Sequence, residues 1–92
     1  MIKSFHDQDT EDLYNRKYVK QFQGFELQAV RRLRILHDAT SLIDLAALPS
    51  NHLEPLRGNR EGQHSIRINL QWRICFIWTD APEEVEIVDY HS

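Results

Sequence analysis

The stretch from Leu53 to His91 reads LEPLRGNREGQHSIRINLQWRICFIWTDAPEEVEIVDYH. Within it, Ser65–Asn69 and Trp72–Trp78 alternate apolar and polar residues, the period of strands that bury one face. Ile66 and Ile68 share one face, as do Trp72, Ile74, Phe76 and Trp78. An even-length connection would set Ile68 against Arg73 and mix the faces. An odd connection, Asn69-Leu70-Gln71, pairs Ile68 with Trp72 and Ile66 with Ile74. A slip of one residue would turn every side chain over, so the buried face enforces this register. Arg67 then stands across from Arg73. Two facing arginines repel unless an anion lies between them. The juxtaposition points to a phosphate site; its bland alternative is two solvated arginines on an open sheet face.

Outward from this hairpin the pattern continues. Leu53–Arg57 reads as a short strand. Gly58-Asn59-Arg60-Glu61-Gly62 reads as a turn with one exposed arginine, because both glycines and Asn59 favour turn geometry. Asp80-Ala81-Pro82 breaks the chain, and Glu84–Asp89 resumes the strand pattern. Upstream the period is helical. Asp7 or Asp9 caps a helix over Thr10–Lys17. Gly24 separates it from a second helix, Phe25 to His37, with Leu27, Val30, Leu33 and Leu36 as its apolar stripe and Arg31, Arg32 and Arg34 flanking it. Ser41-x-x-Asp44 opens a third helix, Leu42–Leu48, stopped by Pro49. Helices first and a meander after is an α+β layout: two to three N-terminal helices packed on a small antiparallel sheet.

The bulk properties narrow the classes. Ninety-two residues make one domain, spanning 1–92. Hydrophobic content of 41% with 27% charged residues excludes a disordered chain. The net charge of -3 does not advertise nucleic-acid binding by the whole molecule and makes long-range steering weak. Between Arg57 and Arg73, however, four arginines face one glutamate, and a local patch can still hold phosphate. The single cysteine, Cys75, excludes an internal disulfide and reads as a small buried strand residue. No apolar run approaches the roughly 20 residues of a membrane-spanning helix. Met1–Asp7 lacks the apolar centre of a signal peptide. No membrane association and a cytoplasmic location are the expectation.

The residues able to do chemistry cluster at the end of the quoted stretch. A histidine, with its ordinary pKa near 6.5, exchanges protons at neutral pH. His91 stands beside Asp89 and Tyr90 at the end of a strand pattern, although a frayed tail is the alternative there. Tyr90 has the parity of Glu86 and Val88. If Val85 and Ile87 are buried, it points to the arginine face, where it can bond a phosphate or stack on a base. Trp72 and Trp78 read as core. The five histidines show no zinc spacing, so no metal and no cofactor are expected. Neither a Ser/His/Asp elbow nor a phosphate-binding glycine loop is present. A cationic clamp beside proton-transfer groups is a minimal kit for phosphodiester chemistry.

Three segments together resemble the HigB-like host-killer toxins of the RelE superfamily, also called plasmid-maintenance killer proteins. They are Leu53-x-Pro55-Leu56-Arg57-Gly58-Asn59-Arg60-Glu61-Gly62, Ser65-Ile66-Arg67-Ile68-Asn69-x-Gln71-Trp72-Arg73-Ile74, and Val88-Asp89-Tyr90-His91. The opening Met1-Ile2-Lys3-Ser4-Phe5 also fits. The resemblance implies a RelE-like toxin fold and a toxin of a type II toxin–antitoxin system. It implies an endoribonuclease that cuts messenger RNA on the translating ribosome, inhibiting translation and arresting growth. It also implies a HigA-like helix-turn-helix antitoxin that neutralises the toxin, so that operator DNA is met only through the antitoxin complex. In such toxins a basic residue after the Pro-Leu pair and the arginine after the tryptophan hold phosphate; here these are Arg57 and Arg73. Arg67, Arg60 and His64 complete the expected RNA- and phosphate-binding set. The terminal Asp89, Tyr90 and His91 contribute to activity, with His91 as candidate general acid and Glu54 or Asp89 as base. Glu54 stands where some members carry a catalytic histidine immediately before the proline. His64 stands where an aromatic residue is frequent. A reading from another class keeps the binding and drops the catalysis: a module that titrates an antitoxin or binds RNA or the ribosome. Arg31, Arg32 and Arg34 face such a partner or form a solvated helix face.

Overall fold

The computed structural model describes residues 1–90. His91, the candidate general acid, lies outside the described residues. Among those described, helices α1 (Gln8–Tyr14), α2 (Glu26–Asp38) and α3 (Leu42–Ala46) precede strands β1 (Glu54–Pro55), β2 (Gln63–Arg67), β3 (Trp72–Trp78) and β4 (Pro82–Asp89). The strands form one antiparallel meander in the order β1-β2-β3-β4. This is the α+β architecture expected from the sequence.

The helix ends follow local chemistry. Asp7, not Asp9, caps α1, its carboxylate accepting from the Thr10 amide at 3.2 Å. α1 starts two residues before the expected Thr10 and stops at Tyr14, three before Lys17. Arg16, at φ 64°, turns the chain out of the helix. Ser41 caps α3 by accepting from the Asp44 amide at 3.2 Å. The Asp44 carboxylate reaches Thr40 rather than Ser41, accepting from its amide and hydroxyl. α3 ends at Ala46, short of Leu48, because a residue before proline is pushed out of helical geometry; Leu48 sits at φ −100°, ψ 100°.

The β2–β3 register is the expected one. Ile66 pairs with Ile74 and Arg67 with Arg73, and the Ile68 amide donates to the Trp72 carbonyl at 2.9 Å. Ile66, Ile74 and Phe76 are fully buried against Leu33 and Leu36 of α2, Leu45 of α3, and Phe22 from the turn after α1. Trp72 stacks on Phe25 at 4.8 Å and meets the edge of Phe22 at 5.9 Å. Thr10 is buried too, and its hydroxyl accepts from the Ile87 amide at 3.1 Å, tying α1 to β4.

Three details depart from the sequence reading. β1 covers only Glu54–Pro55, not Leu53–Arg57, and lies at the sheet edge, because proline has no amide to donate to a ladder. β4 begins at Pro82, where a strand tolerates proline as its first residue, so Pro82 opens the strand instead of interrupting it. In α2 the buried positions are Ala29, Leu33 and Leu36, whereas Leu27 is 61% exposed and Val30 half-buried. The stripe is rotated from the expected one, with small Ala29 taking a fully buried position in place of Leu27. The N-terminus also joins the sheet. Phe5 pairs with Val85 in parallel, the His6 amide donates to Val85 at 2.9 Å and the Val85 amide to Ser4 at 3.1 Å. That covers the open edge of β4.

Register assigns His64 to the core face. It pairs with Phe76, and the two rings stack 6.3 Å apart. Its Nδ1 is buried with no hydrogen-bond partner among the described residues. An unsatisfied buried nitrogen costs about 1–3 kcal/mol. His64→Phe is therefore expected to stabilise the protein by about 1 kcal/mol, raising Tm by roughly 4–8 °C for a domain of this size. Thermal unfolding followed by circular dichroism checks this; an unchanged or lower Tm would contradict the core placement.

Candidate functional site

The opposite sheet face is built by the alternate positions. One row across it holds Glu54, Ser65, Cys75 and Glu86, and the next holds Arg67, Arg73 and Val88. Most of these residues are polar, yet Ser65 and Cys75 are fully buried and Arg73 is only 7% exposed. The segment Leu56–Arg60 curls over them. Gly58 and Gly62, at φ 66° and 93°, supply the left-handed conformations that this fold-back requires.

Arg73 is the centre of this face. Its Nε donates to the Ser65 hydroxyl at 2.8 Å, and one terminal nitrogen donates to the His52 carbonyl at 2.8 Å. The same nitrogen lies 3.5 Å from the Glu54 carboxylate. The guanidinium carbon sits 5.6 Å from the centre of the Tyr90 ring, within cation–π range. His52 adopts φ 46°, ψ 49°, which costs a non-glycine residue about 1–2 kcal/mol; this conformation accompanies its carbonyl's bond to Arg73. The other terminal nitrogen makes no hydrogen bond to a described residue. It is the donor left for a ligand.

A concavity of about 290 Å³ adjoins this arginine, lined by Leu56, Arg57, Asn59, Arg60, Val88, Asp89 and Tyr90. Arg57 is exposed, Arg67 half-buried, and neither forms an ion pair with a described residue. Asp89 accepts from the Gln71 side chain at 3.0 Å, and the Tyr90 amide donates to the Gln71 carbonyl at 2.9 Å. The expected exposed arginine of the turn is different in kind. Arg60 is half-buried, 3.1 Å from Glu86 and 3.1 Å from Gln63. It fastens the turn to β4 through the Glu86 carboxylate, which also lies 3.8 Å from the His6 ring.

The structure thus brings Glu54, Arg73 and Tyr90 into direct contact, with Arg57, Arg60 and Asp89 around the same hollow and Arg67 across the strand pair. It does not bring His64, which lies on the other face of the sheet. The anion that two facing arginines demand is partly supplied from within: Glu54 approaches Arg73. Among the described residues no group of three His, Cys, Asp or Glu side chains gathers to hold a metal ion. No helix among them is long and apolar enough to cross a membrane.

The sequence profile described as RelE-like toxin of type II toxin-antitoxin system HigB matches residues 3–91. This chain belongs to that family. It is also 40% identical over 62 residues to Toxin HigB-1 of Vibrio cholerae serotype O1 (strain ATCC 39315 / El Tor Inaba N16961). That match covers 67% of this chain and 65% of the relative's own length, just under two thirds. The RelE-like helix-and-sheet layout described above is the fold that the family leads one to expect.

Several residues of the sheet face around Arg73 escaped the sequence reading in that role: Ser65, the His52 carbonyl, Cys75 and Glu86. For Ser65 and Cys75 the signal was present in the register, since a strand pair that opposes Arg67 and Arg73 also opposes Ser65 and Cys75. Nothing local marks the His52 carbonyl or Glu86, whose partners lie 21 and 26 residues away. Ser65→Ala removes the Nε acceptor of a buried cation and should cost about 1–3 kcal/mol in a urea titration; a smaller loss would mean that water replaces the hydroxyl. Burial pushes the Cys75 thiol up from its ordinary 9.0 to about 11, with nearby Arg60 opposing the rise and Glu86 adding to it. The unfolded thiol ionises first, so this group's share of stability is complete below pH 9 and is lost between pH 9 and 11. Cys75→Ala should show a shallower fall in urea midpoint over that range than wild type.

Proposed function

We propose that this chain is a type II toxin that cleaves messenger RNA on the ribosome without a metal ion, and that a HigA-like antitoxin neutralises it. The observation that carries this reading is Arg73 against the Tyr90 ring, with Arg57 in the adjoining hollow and Arg67 opposite Arg73. Arg73 is preoriented by fixed acceptors with one donor to spare, and Arg57 and Arg67 are left unpaired among the described residues. Family membership supports messenger RNA as the substrate that these arginines would hold.

In this reading a ribose 2′-hydroxyl attacks the neighbouring phosphorus. Glu54 or Asp89 takes the hydroxyl proton. The bond from phosphorus to the 5′-oxygen breaks, and a general acid, with His91 the candidate, protonates that oxygen. The products are a 2′,3′-cyclic phosphate and a 5′-hydroxyl. Arg73 and Arg57, with Arg67, stabilise the negative charge that builds on the pentacoordinate phosphorus. Such preorganised donors act most strongly where water is excluded. Tyr90 screens Arg73 from water and offers a face on which a base stacks. Glu54 is half-exposed and already near Arg73, so an incoming phosphate competes with it for that guanidinium. The action is cytoplasmic, on translating ribosomes, and operator DNA is met only through the antitoxin complex.

Induced expression of wild type, Arg57→Ala and Arg73→Ala, with primer-extension mapping of cellular transcripts, tests this. Wild type should arrest growth and leave in-frame cuts, and each variant should lose about 10²–10³ in cleavage rate. Soluble wild type that neither arrests growth nor cuts would instead mark a module that binds an antitoxin without catalysis. Equal cleavage with and without ribosomes in vitro would remove the ribosome requirement.

A further inference from the structure

The rotation of α2 leaves one stripe of that helix largely exposed, with only Val30 packed in part against the core. Leu27, Val30, Arg31 and Arg34 recur at three- and four-residue steps, so they share one helix face. Leu27 is 61% exposed, Val30 is half-buried, and both arginines are exposed with no ion pair to a described residue. Beside Leu27 and Val30 lies a hollow of about 260 Å³ between α1 and α2, bordered by Arg16 and by Tyr18, itself 73% exposed. Arg16 and Val30 also border an adjoining hollow of about 320 Å³ that reaches Arg31 and Arg34. The two hollows share Arg16 and Val30 and make one trough. Its apolar lining is supplied by Leu13, Leu27 and Val30 and its rim by Arg16, Lys17, Arg31 and Arg34, with Glu26 the one carboxylate.

Arg16 adds a third arginine to the rim. It sits at φ 64° just beyond α1, where its amide donates to the Leu13 carbonyl at 2.9 Å and the Lys17 amide to the Asp12 carbonyl at 2.8 Å, the paired bonds of a left-handed helix C-cap. The cap accounts for the backbone conformation. The side chain makes no hydrogen bond or ion pair with a described residue and borders the open hollows.

Resting on the toxin reading above, we infer that the α1–α2 trough is the docking site for an acidic amphipathic segment of the cognate antitoxin. The apolar floor selects a protein over a nucleic acid, whose phosphates would find no use for Leu27 and Val30. The unpaired Arg16, Arg31 and Arg34 select carboxylates flanking the apolar anchors. Docking there buries Leu27 and Tyr18, the largest apolar side chains that the trough leaves in water.

The test is calorimetric titration of purified full-length toxin with the HigA-like antitoxin encoded beside it, with ribosome co-sedimentation in parallel. Arg31→Glu combined with Arg34→Glu, and separately Leu27→Asp, should each weaken antitoxin binding at least tenfold while circular dichroism stays native. Arg16→Gly should raise Tm and yet weaken binding, opposite signs that a merely structural role would not produce. Because Leu27→Asp changes a residue that makes no core contact, loss of fold is not its expected effect. Wild-type affinity in all three variants would overturn the docking site and leave the toxin reading standing. No binding by wild type would overturn both. Variants that keep antitoxin affinity but lose ribosome association would overturn it in favour of an RNA surface.

Discussion

Arg73 carries a charge that the fold has taken almost wholly out of water, and the arrangement of one sheet face follows from that. A buried guanidinium is tolerated only where fixed acceptors replace its hydration. Ser65 must therefore stand on the neighbouring strand with its hydroxyl inward. His52 must bend into a left-handed conformation to offer its carbonyl. Glu54 must project from a two-residue edge strand, and Tyr90 must close over the top. Each of these residues comes from a different place in the sequence, and the guanidinium is the point at which they meet.

The same sheet has two faces with different physics. On the helix side, Ile66, Ile74, Phe76 and Val85 pack against α2 and α3, and the contribution is non-directional burial of apolar surface. On the other side the buried groups are polar, and geometry decides everything: a hydroxyl, a carbonyl and a carboxylate within hydrogen-bonding or ion-pairing reach of one cation. The apolar face sets the register, and the register then places Arg67 against Arg73 and Ser65 against Cys75. The candidate site is thus a consequence of the core, reached through the two-residue period of a strand.

The four arginines between Arg57 and Arg73 look alike in the sequence but do different things. Arg60 is spent on Glu86 and holds a turn in place. Arg73 is largely spent on Ser65, His52 and Glu54, with one nitrogen remaining. Arg57 and Arg67 are the cations without an ion-pair partner among the described residues. A patch that composition reads as an excess of three positive charges therefore presents far less free charge than that. With a net charge of -3, the chain offers an anion a shaped hollow and not a broad positive field.

The alternation of Ser65 to Trp78 by itself determined the central hairpin and its odd connection, because only one register buries every isoleucine. It also determined the α+β order, the Ser41 cap, and the facing of Tyr90 toward Arg73, all of which depend on neighbours a few residues apart or on strand parity. The resemblance carried by Leu53–Gly62, Ser65–Ile74 and Val88–His91 points to the family that the profile match shows. Tertiary structure alone decided the rest. It rotated α2 so that Ala29 faces the core and Leu27 faces water, since helical spacing leaves two adjacent stripes nearly equivalent until packing chooses the one with the smaller residue. It assigned His64 to the apolar side, Arg60 to Glu86, and the His52 carbonyl to Arg73. Those choices rest on contacts between residues 12 to 26 positions apart, and no local pattern of residues encodes which distant partner a buried polar group will find.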